Sequence, residues 1–372
     1  MSVCIFRNAA PLAMKIFGKT RSFLFFATLL LSENGFPIES VMPCQWNDAK
    51  CGYTEHQKHA LRQSDAWQVM LSKPLHERVG IGDKNLVFYT ALDNIANGYS
   101  EKPRLAETND TLLRELIDVI KELPDVVKLK LAPKLAGVML VENFGGTGMS
   151  QYVYGLDGEP IVGFIVLDPV ALTSCTANSW ATWKENSPFR PDPSIRITAN
   201  IEDKENDTRK NAIRYIVLHE IAHILSIGER FHPLWTRQTV SAIELVAFPF
   251  ARVSWQPMPA RLQRNSKFDG QWPERKNIIY YFGAKLDGQA AIPAYQQLAT
   301  TTFPTLYAAT NWADDFAESF VNYIHVVITK RPFEIRIERD GALASSYRAC
   351  WEEARCSEKR KIIEAYLQKK GT

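Results

Sequence analysis

NDTRKNAIRYIVLHEIAHILSIG, residues 206–228, is the part of the sequence from which the rest can be ordered. Asn206 or Asp207 offers a side-chain oxygen to cap a helix, and Gly228 offers a stop. Between them Ile213, Ile216, Val217, Ile221 and Ile224 fall largely on one side of a helical turn. Inside this helix stand His219 and His223, four residues apart. That spacing stacks two side chains on one helix face, with Cβ atoms roughly 5–6 Å apart. Their imidazoles can therefore converge on one ion at the roughly 2.0–2.1 Å of zinc–nitrogen bonds. Glu220 projects beside them, where a carboxylate can take a proton from a metal-bound water. The bland alternative is a surface helix carrying two solvated histidines.

A catalytic zinc needs a third protein ligand and one open coordination position. The sequence just downstream does not supply it. In the extended pattern His-Glu-x-x-His-x-x-Gly-x-x-His, Ser226 stands where the glycine belongs and Glu229 where the last histidine belongs, while His232 is out of register. The third ligand must come from a separate element. Residues 305–320, TLYAATNWADDFAESF, offer one, read as part of a second helix over residues 311–329 that Asn311 can cap. Asp314 and Glu318 are four apart and share a helix face, as a ligand and its supporting partner should. Acids in a first helical turn are also favoured by the helix dipole alone. Asp315 is the alternative ligand.

Tyr307, Thr310-Asn311, Asp314 and Phe316-Ala317-Glu318 together resemble the catalytic domain of anthrax lethal factor and related bacterial zinc peptidases, a gluzincin-like group with the pattern Tyr-x-x-Thr-Asn-x-x-Glu-x-Phe-Ala-Glu. The resemblance implies that Asp314 is the third zinc ligand, that Glu318 supports a zinc-bound histidine and that Tyr307 faces the reacting carbonyl. It covers the two motifs and their order. Two departures stand out: Asp314 replaces a glutamate and is one methylene shorter, and the stretch between His223 and Asp314 is longer than the family's. The fold implied is α+β and zincin-like: a small twisted sheet over an active-site helix, with a second helix bearing a ligand. Residues 161–167 (IVGFIVL) are then the candidate strand lining the substrate cleft, where an extended peptide can add as a further strand.

The rest of the chain is ordered around this core. Basic residues Lys15, Lys19 and Arg21 precede an apolar run at 22–31, too short to span a bilayer comfortably, so residues 1–31 read as a leader, with Met14 as an alternative start. The chain is expected to be exported, periplasmic or extracellular, with no stable membrane insertion after leader removal. Residues 32–129 read as an accessory region containing a helix at 111–123. Residues 130–330 read as the catalytic domain, with strands at 137–141 and 161–167 and an insertion at about 254–304 rich in Pro, Gln, Arg and aromatics. Residues 331–372 read as a helical tail. Of six cysteines, Cys44/Cys51 and Cys350/Cys356 are close enough to close small loops in an oxidising compartment, which leaves Cys175 over once Cys4 departs with the leader.

With 372 residues, 46% hydrophobic and a net charge of +3, the composition excludes disorder and a polytopic membrane protein, and no large field draws in nucleic acid. The partner expected is a protein or peptide substrate. The function expected is a zinc endopeptidase with one catalytic Zn2+, Glu220 as general base and Tyr307 as oxyanion donor. A binding module on an inactive zincin scaffold and a zinc amidase acting on cell-wall peptide are the alternatives.

Overall fold

The computed structural model describes residues 42–107, 110–235, 237–260, 264–281 and 283–369. The leader expected at 1–31 lies outside the described residues, as does Cys4. The architecture is mixed α+β.

One sheet has five strands: β1 (Val79–Ile81), β2 (Arg104–Leu105), β3 (Leu135–Glu142), β4 (Gly148–Tyr154) and β5 (Pro160–Leu167). Their order is β1-β3-β5-β4, with β2 paired antiparallel to the end of β3. β1, β3 and β5 run parallel, whereas β4 is antiparallel to β5. The continuous apolar run of β5 follows from its place: it has a strand on each side and a packed layer on each face. Val162, Phe164 and Val166 point to a layer built by the helix Lys84–Asn97 and Trp67. Ile165 and Leu167 point the other way, toward the helix Arg209–Leu225. A Cβ on Gly163 would stand 2.5 Å from Ile224 Cδ1 of that helix and 2.7 Å from the backbone oxygen of Gln151 on β4, so a glycine is required there.

Because β5 is flanked on both sides, it is not the free edge expected at 161–167; the edge strand over the helix is β4. The boundary expected at residue 130 also runs through this sheet, since β1 and β2 precede it. A second sheet, antiparallel and ordered β6-β7-β8, combines β6 (Ile195–Asn200) with β7 (Glu334–Arg339) and β8 (Ala342–Arg348). The tail expected to be helical from 331 therefore begins with two strands; only Ser357–Gln368 forms its long helix. Ile335, Ile337 and Tyr347 are buried in the main core, which gives these strands their apolar faces.

The helix Arg209–Leu225 also departs from its sequence reading. Ala212, Tyr215, Leu218, Ala222 and Leu225 are buried along with the isoleucines, so the helix is a core element covered on most sides rather than amphipathic. Its cap is Thr208, which accepts from Asn211 N; Asp207 instead accepts from Thr176 Oγ1 and Asn178 N and ties the neighbouring helix Ala177–Asn186 to this corner. The second helix, Trp312–Tyr323, is capped by Asn311 as expected, and a π-helical turn, Ile324–Ile328, follows it. Residues 254–304 contribute Trp255, Trp272, Tyr295 and Phe303 to the same core and have none of their own among the described residues.

Disulfides join Cys44 to Cys51 and Cys350 to Cys356. Cys175, the residue left over in the sequence reading, is not a free thiol. No described helix is long and apolar enough to cross a membrane.

Candidate metal centre

The helices Arg209–Leu225 and Trp312–Tyr323 pack against each other, and their contact brings the two sequence motifs together. His219 Nε2 and His223 Nε2 stand 3.3 Å apart. Asp314 Oδ1 lies 3.5 Å from His223 Nε2 and 3.9 Å from His219 Nε2. One ligand atom from each residue lies within 4.8 Å of the others, and among the described residues no other such group of three forms. Two nitrogens on a tetrahedral ion at roughly 2.0–2.1 Å are separated by about 3.3 Å, so the histidine pair has the spacing zinc needs. Asp314 reaches this point despite its shorter side chain. Two imidazoles and a carboxylate make a donor set suited to a zinc ion with an open position.

Each donor is oriented by a neighbour. His219 Nδ1 donates to Glu318 Oε1 at 2.9 Å, which turns the Nε2 lone pair toward His223 and Asp314. Asp314 Oδ2 accepts from Asn311 Nδ2, and from Thr310 Oγ1 at 3.3 Å, leaving Oδ1 for the imidazoles. The Glu318 carboxylate is itself saturated: Lys184 Nζ at 2.8 Å and Thr305 Oγ1 at 2.7 Å complete its partners. Burial opposes its charge, but Lys184 and the His219 hydrogen bond outweigh that and hold it down to about 2. Asp314 is likewise held below the usual carboxylate range, its burial outweighed by the two histidines. Burial works against a charge on His219, yet the hydrogen bond to Glu318 and the surrounding carboxylates raise it.

Glu220 lies under β4, where Ser150 Oγ donates to its Oε2 at 2.5 Å. A Cβ on Gly148 would stand 3.1 Å from Glu220 Oε1, so the strand passes directly over this carboxylate. Tyr307, on the short turn Tyr307–Ala309, stacks on the His219 ring with centroids 5.6 Å apart and planes at 15°. Burial first, and then Asp314, push its phenol well above the ordinary value, so it stays protonated and able to donate. The insertion props this turn: Arg275 Nη1 donates to Ala309 O at 2.6 Å, and Tyr280 packs on Tyr307 at 4.6 Å.

All six residues nominated from the sequence thus meet in one place. Asp315 does not join them. It is fully buried on the other side of the helix, paired with Lys359 Nζ at 2.5 Å and accepting from Trp255 Nε1 at 2.9 Å. It is not among the converging donor atoms, and removing it would strand a buried ammonium. His232 is also apart, with Nδ1 held by Pro233 O. Sequence reasoning missed Ser150, Lys184 and Thr305. A serine in a strand, a lysine in a short helix and a threonine in a loop carry no local signal of their partners.

No family model matches the chain, and no curated protein or solved structure matches it either.

Proposed function

We propose that this chain is a zinc-dependent endopeptidase with a zincin-like catalytic core, as the likeness of its motifs to the anthrax lethal factor group implies. The single observation that carries the reading is the convergence of His219, His223 and Asp314 beside the buried carboxylate of Glu220. Sequence order brings the first two and Glu220 together on one helix; the third arrives from a helix far along the chain. Chance pairing of a sequence motif with solvated residues does not explain that meeting.

His219, His223 and Asp314 would hold the ion. When bound, zinc acidifies a coordinated water to a pKa of roughly 7 and polarises a carbonyl oxygen. Glu220 accepts a proton from the attacking water and delivers it to the leaving amine. Ser150, donating to Glu220 Oε2, fixes that carboxylate, and Oε1 has no hydrogen-bond partner among the described residues. Tyr307 stays protonated and donates to the oxyanion as it forms. β4, antiparallel and at the sheet edge, is the strand on which an extended peptide would lie. Export is part of the proposal: the basic segment and apolar run near the N-terminus support it, and so do the two short-range disulfides.

Glu220→Gln tests the reading. The ligands are untouched, so zinc content by metal analysis should equal that of the parent chain. Cleavage of a peptide library should fall by at least about a hundredfold, the lower end for loss of a general base. Full activity in a zinc-loaded Glu220→Gln protein would refute the mechanism.

A further inference from the structure

Lys184 takes no part in the chemistry above, yet it is one of the most enclosed cations in the described chain, with 3% of its surface exposed. It sits on the helix Ala177–Asn186, and its ammonium reaches the centre from behind. Nζ donates to Glu318 Oε1 at 2.8 Å, the same oxygen that takes the His219 Nδ1 proton at 2.9 Å. Glu185 Oε1 is 3.7 Å away, but that carboxylate is occupied through its other oxygen by Tyr280 and Tyr295 hydroxyls at 2.8 and 2.6 Å. Four rings enclose the ammonium: Tyr307 at 5.0 Å, Trp180 and Tyr215 at 5.8 Å, and Tyr280 at 5.9 Å. Cations within about 6 Å of an aromatic centroid are attracted to the ring face.

Burying an ammonium is costly, and an apolar side chain of similar length would fill the same space without that cost. A requirement for charge is the better explanation. On one oxygen, Lys184 and the His219 N–H compete for the same electron density. The ammonium on Oε1 and the Thr305 hydroxyl on Oε2 fix the carboxylate from both ends and hold Oε1 against His219 Nδ1. With Nδ1 anchored in this way the plane of the imidazole is set, and Nε2 faces His223 and Asp314. The same ammonium attracts the Tyr307 ring, which in turn stacks on His219.

We propose that Lys184 is a positioning residue of the candidate centre: through Glu318 it fixes the orientation of His219, and through the ring face it fixes Tyr307. This rests on the reading of His219 as a zinc ligand.

The first measurement needs no metal. Nuclear Overhauser NMR on the metal-free full chain should show contacts between the His219 and Tyr307 rings, which stack with centroids 5.6 Å apart. In Lys184→Met, Glu318 loses the donor that holds its Oε1 against His219, so these contacts should weaken or vanish. Unchanged contacts overturn the proposal. The second measurement is zinc affinity, by competition with a chromophoric chelator. Lys184→Met and Glu318→Gln should each weaken binding about 10–100-fold, the usual range for a residue that supports a ligand. The double variant should bind no more weakly than the worse single one, because both act through one hydrogen bond. Losses that multiply would show that Lys184 acts elsewhere and overturn the proposal. If Lys184→Met does not fold, Lys184→Gln decides: it keeps a donor without the charge, and an affinity equal to the parent's overturns the proposal. A parent chain that binds no zinc refutes the zinc reading, while the NMR measurement still judges Lys184.

Discussion

Asp314 and Asp315 leave the same helical turn about 100° apart and enter two different clusters. Asp315 spends both oxygens on the protein: Oδ1 on Lys359 and Oδ2 on Trp255, in a region with no exposed surface. Asp314 commits only Oδ2, to Asn311 and Thr310, and presents Oδ1 to two imidazole nitrogens. The first cluster is closed and joins the C-terminal helix to the core. In the second, three ligand atoms from His219, His223 and Asp314 converge on one point. A closed buried pair does structural work. A convergence of lone pairs is where an ion or a substrate can enter.

Four experiments break or sharpen this contrast. The largest effect belongs to Asp314→Ala, which leaves two histidines as the only ligands. Zinc should be lost completely on dialysis, with the unfolding midpoint of the metal-free protein little changed. Retained zinc would move the third ligand elsewhere.

Asp315→Ala should do the reverse. It strands the Lys359 ammonium in the core, a change that typically costs about 3–5 kcal/mol. Denaturant unfolding should show that loss, while the folded fraction still binds zinc. Replacing both partners by apolar residues, Asp315→Leu with Lys359→Met, should recover much of the stability.

Tyr307→Phe removes one hydroxyl that has no protein partner among the described residues, so fold and zinc should survive. Steady-state kinetics should show kcat lower by about a hundredfold or more with little change in KM, as for one lost oxyanion donor. An unchanged kcat would reduce the residue to packing on His219.

The smallest effect is the pH dependence of the metal-free chain. Glu318 is held at about 2 against an ordinary 4.5. A depressed carboxylate contributes stability that is present above about 4.5 and lost as the pH falls toward 2. Asp315 runs the other way, because burial raises it above its ordinary value even with Lys359 beside it. Its own share is present at low pH and lost as the pH rises. Unfolding titrations between pH 5 and 2 should therefore lose stability up to about 1.4 kcal/mol per pH unit more steeply in the parent than in Glu318→Gln. Equal slopes would mean that the Glu318 carboxylate is not held ionised.

The sequence by itself determined the local half of this protein. Spacing of four places His219 over His223 and Asp314 over Glu318 in any helix, whatever surrounds it, because the helical repeat is set by backbone hydrogen bonds. Asn311 as a cap and the strands near 137–141 and 161–167 are equally local, and the structure has each of them; the sequence left the bridging of the neighbouring cysteines open, and the structure bridges both pairs. What only the tertiary structure decided is everything that depends on which surfaces meet. β5 reads as a strand from its apolar run, but whether it is an edge depends on β4 folding back beside it. The burial of the histidine helix on most sides depends on layers contributed by distant segments. Asp314 and Asp315 are the same residue type one position apart, and no local rule tells them apart. Lys359 and Trp255 claim one and the histidines face the other because charges in a core must find partners across the fold, not along the chain.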